Sequence, residues 1–252
     1  MDLLAQMLSQ EIYRVFLVFV RVAAAVGFLP GFGEFAVPVR ARLAIAGVVA
    51  LSLAPTVPGL PAAMPEHASE ILRHFAGEIM VGAFLGLGAK LFLAALQVTG
   101  TVAAQTIGLA NPFAIEGAGF EGGSVLSGTL VLAGLAAIFA ADVHYVMLDA
   151  LARSYGTWPV SEWPDVGLLA GRYSQLIAVT FRLGVGMATP FLVFGVLFNL
   201  ALGLVNRVMP AMPVFFVGTP VMLATGLFIL MATAAAMVSA FLAALSGWLA
   251  GG

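Results

Sequence analysis

The chain has 252 residues and not one cysteine. That absence excludes disulfides, thiolate metal sites and cysteine nucleophiles, though it says little about compartment. Charge is scarce as well: 9% of residues are Asp, Glu, Lys or Arg, where soluble domains carry roughly a quarter. The single lysine, Lys90, and a formal net charge of -2 leave no basic arm for nucleic acid or anionic lipid. Residues 1–10 include Asp2 but no Lys or Arg, so the positive n-region of a secretory signal is missing and no cleavage is expected.

What the chain has in quantity is apolar surface, 62% of residues with a mean hydropathy of +1.10. Charge-free runs extend over Leu43 to Pro65, Leu91 to Ile115, Gly122 to Ala141, Leu183 to Asn206 and Val208 to Gly252. Each reaches or approaches the roughly 20 residues that cross a bilayer as a helix. A soluble helix needs a polar face, and these runs have none. The composition therefore predicts an all-α membrane protein, read as one domain over residues 1–252.

The first helix is expected over about Gln10 to Leu29, closed by Pro30, Gly31 and Gly33. A loop containing Pro38 leads to a second helix, about Val39 to Leu53, ended by Pro55, Pro58, Pro61 and Pro65, which favour an extended connector. The third segment starts near Glu66 and reaches Leu109, about 60 Å if unbroken and twice a hydrocarbon core. Either a kink near Gly86-Leu87-Gly88 or Gly100 divides it, or much of it lies outside lipid. A glycine-rich apolar loop, Asn111 to Gly123, follows. The fourth helix is expected over about Ser124 to Ala152. The link from Arg153 to Pro164 pairs Trp158 and Trp163 in a way that suits a membrane interface. The fifth helix runs over about Asp165 to Val208, a break spans Met209 to Pro220, and the sixth runs over about Val221 to Leu249. Charge bias between the connections is too small to orient the chain.

Charges inside apolar helices are the first candidates for function, because an arginine at the bilayer centre costs at least about 2.5 kcal/mol. Arg14 and Arg21 project from one face; Arg14 has a local partner in Glu11, whereas Arg21 lies deeper and calls for a buried one. In the third helix Glu78, Gly82, Leu85, Ala89 and Leu96 form a stripe, with Gly86, Gly100 and Ala103 beside it. Small residues at this spacing let backbones approach, so the stripe reads as a packing seam. Glu78 and Lys90, with Arg182, are also the groups a transporter would use for an ion path. Asp142 and Asp149 share a face with His144 turned away, and Arg153 lies at ion-pair spacing from Asp149. No HExxH motif or nucleophile elbow accompanies them, so no metal or cofactor is expected. The apolar non-helical loops need burial or a solvated cavity at membrane depth. Phe113, Ile115 and Phe120 on a glycine-rich frame are what a compliant plug contains.

In order and spacing the segments resemble the FliR family, the export-gate subunit of flagellar biosynthesis, and its type III secretion relatives of the SctT kind, over nearly the full chain. The likeness rests on Arg21 through Gly31-Phe32-Gly33, on Val37-Pro38 with Arg40 and Arg42, and on the helix ending Leu53-Ala54-Pro55. It continues with Glu78 ahead of Val81-Gly82 and Leu85-Gly86, then Ala95, Gly100, Gln105 and Gly108-Leu109. The last block is Asn206-Arg207-Val208-Met209-Pro210, followed by Met212, Val214-Phe215, Gly218 and Pro220. The family commonly reads Pro-Gln-Met-Asn before Val-Phe, and here Ala211 and Pro213 replace the two amides.

The resemblance implies a non-enzymatic subunit of a pore-forming gate in the bacterial inner membrane, within the flagellar basal body. Its implied partners are FliP, FliQ, FlhB and FlhA, with unfolded flagellar proteins in transit and lipid around. It implies that the loop from Gln105 to Gly123 plugs the pore, with Asn111, Pro112, Phe113, Ile115, Phe120 and Gly122 at its centre. Arg14, Arg21, Glu78, Lys90 and Arg182 are then candidates for buried charge or assembly contacts. Gly82, Gly86 and Gly100 would serve helix packing, and Pro30, Pro38, Pro210, Gly218 and Pro220 structural turns. The fold expected is about six long apolar helices, bent as hairpins and not all spanning. From the residues alone, a secondary transporter using Glu78, Lys90 and Arg182 and an intramembrane enzyme using Asp142, His144 and Asp149 remain alternatives.

Overall fold

The computed structural model describes residues 2–109, 125–209 and 214–251. Among them are seven helices: α1 (Asp2–Val26), α2 (Val39–Leu53), α3 (Ala68–Thr106), α4 (Val125–Ala140), α5 (Val143–Thr157), α6 (Val166–Val208) and α7 (Val214–Gly251). The chain is an all-α membrane protein. Three helices, α3, α6 and α7, are long and apolar enough to cross a bilayer, and α4 with α5 qualifies as a fourth crossing if counted together.

Several boundaries differ from the sequence reading for physical reasons. The fourth helix is two, because Asp142 takes left-handed backbone (φ 57) and heads α5. A short polar side chain tolerates that conformation better than most. In the third segment no break occurs at Gly86, Gly88 or Gly100, and α3 runs for 39 residues. It ends where Gly108, at φ 78, turns the chain and Leu109 N–H bonds the Ala104 carbonyl at 2.8 Å, a glycine helix stop. The helix α7 begins at Val214 and contains Pro220, so Gly218 and Pro220 are helical and do not form the turn assigned to them. Proline's fixed φ is compatible with a helix, and near a helix start few preceding turns are disturbed by its ring. Pro190 is likewise inside α6.

The helices group into two compact units. The first comprises Met1–Leu91, Ala141–Ile177 and Leu245–Gly252; the second comprises Phe92–Ala140 and Ala178–Ala244. In the first, α1 buries Leu17, Val18, Val22 and Ala25. The loop after it is fixed by Arg42, whose guanidinium donates to the carbonyls of Val37 and Glu34, both at 3.0 Å. Pro30 is buried in this loop and Pro38 sits at the N-cap of α2. Trp158, expected at a lipid interface, is instead buried with Val81 and Leu169, its ring edge-on to Phe84.

The second unit packs the latter half of α3 against α4 and α6 at short range. A Cβ on Gly100 would overlap the Ser127 backbone, and one on Gly134 would overlap Leu96. Thr99 donates to the Gly184 carbonyl at 3.1 Å, and Ser127 to that of Gln97 at 3.1 Å. Close approach with hydroxyl bonds across helices is the usual cement of membrane bundles.

Candidate functional site

The most polar place in the first unit is also among its most buried. Arg21, on α1, is 1% exposed, and Glu78, on α3, is 1% exposed. Arg21 Nε donates to Glu78 Oε2 at 2.6 Å and Nη2 donates to Oε1 at 3.1 Å, a two-pronged pair. Two further guanidinium hydrogens reach α5 and its C-cap: Nη1 donates to Ser154 Oγ at 3.2 Å and Nη2 to the Trp158 carbonyl at 2.9 Å. The Tyr155 ring lies 4.1 Å from the guanidinium carbon.

Each partner is there for a local reason. The two-pronged geometry requires a planar fork, which lysine lacks. One turn beyond Glu78, Gly82 faces the Arg21 carbonyl so closely that any Cβ would overlap it, and Gly86 does the same against the Ala25 carbonyl, 2.6 Å from where a Cβ would stand. Glycines four apart thus let α1 lie directly on α3 and set the pair's spacing. Ser154 Oγ donates to Leu151 carbonyl at 2.7 Å and so presents a lone pair to Arg21. Both charges are compensated and nearly every hydrogen bond is made, which is what a buried pair requires.

The other sequence candidates are dispersed. Arg14 is half-buried, bonding Glu11 at 2.8 Å and the Pro61 carbonyl at 2.9 Å, which ties the proline connector to α1. Lys90 and Arg182 are exposed on this chain, so neither is a buried charge within it. Gly100 belongs to the second unit's seam with Ser127. Asp149 pairs with Arg153 at 2.9 Å near the protein surface. Among the described residues, no group of His, Asp and Glu is placed to hold a metal. Asn111, Pro112, Phe113, Ile115, Phe120, Gly122 and Pro210 lie outside the described residues. Sequence reasoning missed Ser154, Tyr155 and the Trp158 carbonyl as partners of Arg21. Only the spacing of Ser154 and Trp158, four residues apart at the end of α5, hinted at a shared face.

Comparison with known proteins places this geometry in context. Residues 12–247 match the model of bacterial export proteins, family 1. The chain is 35% identical to the flagellar biosynthetic protein FliR of Caulobacter vibrioides, over 87% of this chain and 88% of that one. It is 28% identical to the protein of that name from Pectobacterium carotovorum, over 83% and 79%, and 25% identical to that of Escherichia coli, over 82% and 78%.

Proposed function

The chain belongs to family 1 of the bacterial export proteins, the FliR family, and from that premise we propose that it joins FliP and FliQ in a pore-forming gate for unfolded flagellar proteins. It is a membrane component of protein export and not an enzyme. In this reading it acts as one domain in the bacterial inner membrane, in the flagellar basal body, docked to FlhB and FlhA. The segment from Gln105 to Gly123, whose first two residues are the end of α3, closes the pore, with Phe113, Ile115 and Phe120 as the sealing side chains.

The observation that carries the proposal is how little of the apolar surface the chain covers by itself. Only 17% of the most apolar stretch of α6 and 11% of that of α7 is buried, against 56% for α3. Lipid covers some of this, but Val196, Leu197, Leu200 and Leu204 form a broad exposed face of the kind that neighbouring subunits bury. The transporter alternative has less support, since Glu78 is fully engaged by Arg21 and both Lys90 and Arg182 are exposed. The enzymatic one loses Asp149 to Arg153 and Asp142 to a helix start.

Affinity purification of the tagged chain from membranes tests the assembly: FliP and FliQ should co-elute stably. A chain that is monodisperse and active alone would sink it. Deleting Phe113 to Gly122 should leave that assembly intact and make the membrane leaky to small ions. Conductance at the closed level in that variant rejects the plug.

A further inference from the structure

Between α6 and α7, within the second unit, lies an open groove of about 550 Å³. Its α6 wall includes Arg182, Gly186, Met187 and Pro190, and its α7 wall includes Ala236, Ala240 and Ala244. The small side chains leave the space; everything facing it is apolar or nearly so except the one guanidinium.

The course of the groove follows from the hairpin. Gly218 meets Leu202 near the link between the two helices, so equal helical rise from that contact sets Pro190 about level with Leu230 and Arg182 about level with Val238, each within a turn of the groove residues Thr233 and Ala240. From Pro190 to Val179 the groove runs about 16 Å, with its cation near one end. Arg182 immediately precedes the charge-free run from Leu183 to Asn206, which is where an interface-level charge belongs. Neither α6 nor α7 contains an Asp or Glu, and no ion pair among the described residues involves Arg182. An anion has to come from outside these two helices.

We propose that this groove binds one acyl chain of an anionic phospholipid, with Arg182 holding the headgroup phosphate. A guanidinium matches phosphate oxygens in geometry and charge. Charge and shape together favour the lipid: one guanidinium at the head of an otherwise apolar slot meets a phosphate and an acyl chain at once, while a partner helix would need to bring its own anion to the same end. The volume is that of a small-molecule site. The site is a single cation at the head of an apolar slot and differs from the basic clusters that recruit proteins to anionic surfaces. It does not depend on the export reading.

The test is lipid retention by the purified full-length chain, read by native mass spectrometry in detergent with phosphatidylglycerol or phosphatidylcholine of identical acyl chains. The wild type should retain phosphatidylglycerol about tenfold better, because phosphatidylcholine brings the same phosphate but its choline cation offsets the charge that faces Arg182. Arg182→Lys should keep most of that preference and Arg182→Gln should abolish it. Ala240→Trp, with helix content checked by circular dichroism, should lose both lipids. Equal retention of the two lipids by the wild type, or an unchanged preference in Arg182→Gln, overturns the proposal. The absence of native cysteine allows one more arm in the assembled complex: a cysteine at Ala240 that crosslinks to a partner polypeptide puts a subunit in the groove, and the lipid assignment is wrong.

Discussion

The two units bury their polar and apolar groups in opposite ways. In the first, a charged pair is sealed inside and its hydrogen bonds are met by three helices of the same chain. In the second, the helices are held by glycine contacts and single hydroxyl bonds, while α6 and α7 leave long apolar faces uncovered. The difference teaches that the first unit is specified from within, and the second is finished by whatever surrounds it. Polar groups buried in an apolar setting tolerate few alternatives, whereas apolar faces accept lipid or protein alike.

The largest expected effect comes from breaking the sealed pair on one side. Arg21→Met or Glu78→Leu strands the opposite charge and should cost about 3–5 kcal/mol, seen as loss of membrane accumulation and of cooperative melting in detergent. The double variant Arg21→Met with Glu78→Leu should recover most of that, because no charge is stranded. A double variant no better than either single one would mean that the pair is not what holds the unit.

Next in size is Gly82→Val, which drives a side chain into the Arg21 backbone and should destabilise by at least about 2 kcal/mol through overpacking. Its melting loss should shrink in the background lacking the charged pair, since the displaced α1 then has no ion pair to lose. Additive losses would show that spacing and pairing are independent.

The uncovered face should respond in the reverse manner. Val196→Ser with Leu200→Ser should change the melting of the isolated chain by less than about 1 kcal/mol, yet reduce co-purification of the other export subunits severalfold. The smallest effect belongs to the surface: Arg153→Gln removes an exposed pair with Asp149 and bonds to the Leu249 and Ala250 carbonyls. Its cost should stay below about 1 kcal/mol in the same melt.

What was legible in the sequence follows the same division. Proline and glycine punctuation placed α2 at its observed bounds and α3 and α6 within a few residues of theirs. The need of Arg21 for a buried partner was readable from its depth in an apolar run, and Glu78 was readable as part of a seam. Their pairing was not, because it joins residues distant in the chain through a helix contact that only Gly82 and Gly86 permit. The break at Asp142 was hidden by the apolar run before it: a charge at a helix start and a charge inside a helix look alike until the backbone is known. The start of α7 was misplaced because proline was treated as a terminator, although it is also tolerated in the early turns of a helix. The plug residues lie outside the described residues.

The contrast between a self-specified unit and one completed by neighbours is tested most directly by a photo-crosslinking amino acid at Leu200, which is 63% exposed on this chain. In cells assembling flagella it should give discrete adducts with one or two small membrane proteins of the export gate, and these should vanish when FliP and FliQ are absent. Adducts with lipid alone, unchanged by removing those subunits, would contradict the account.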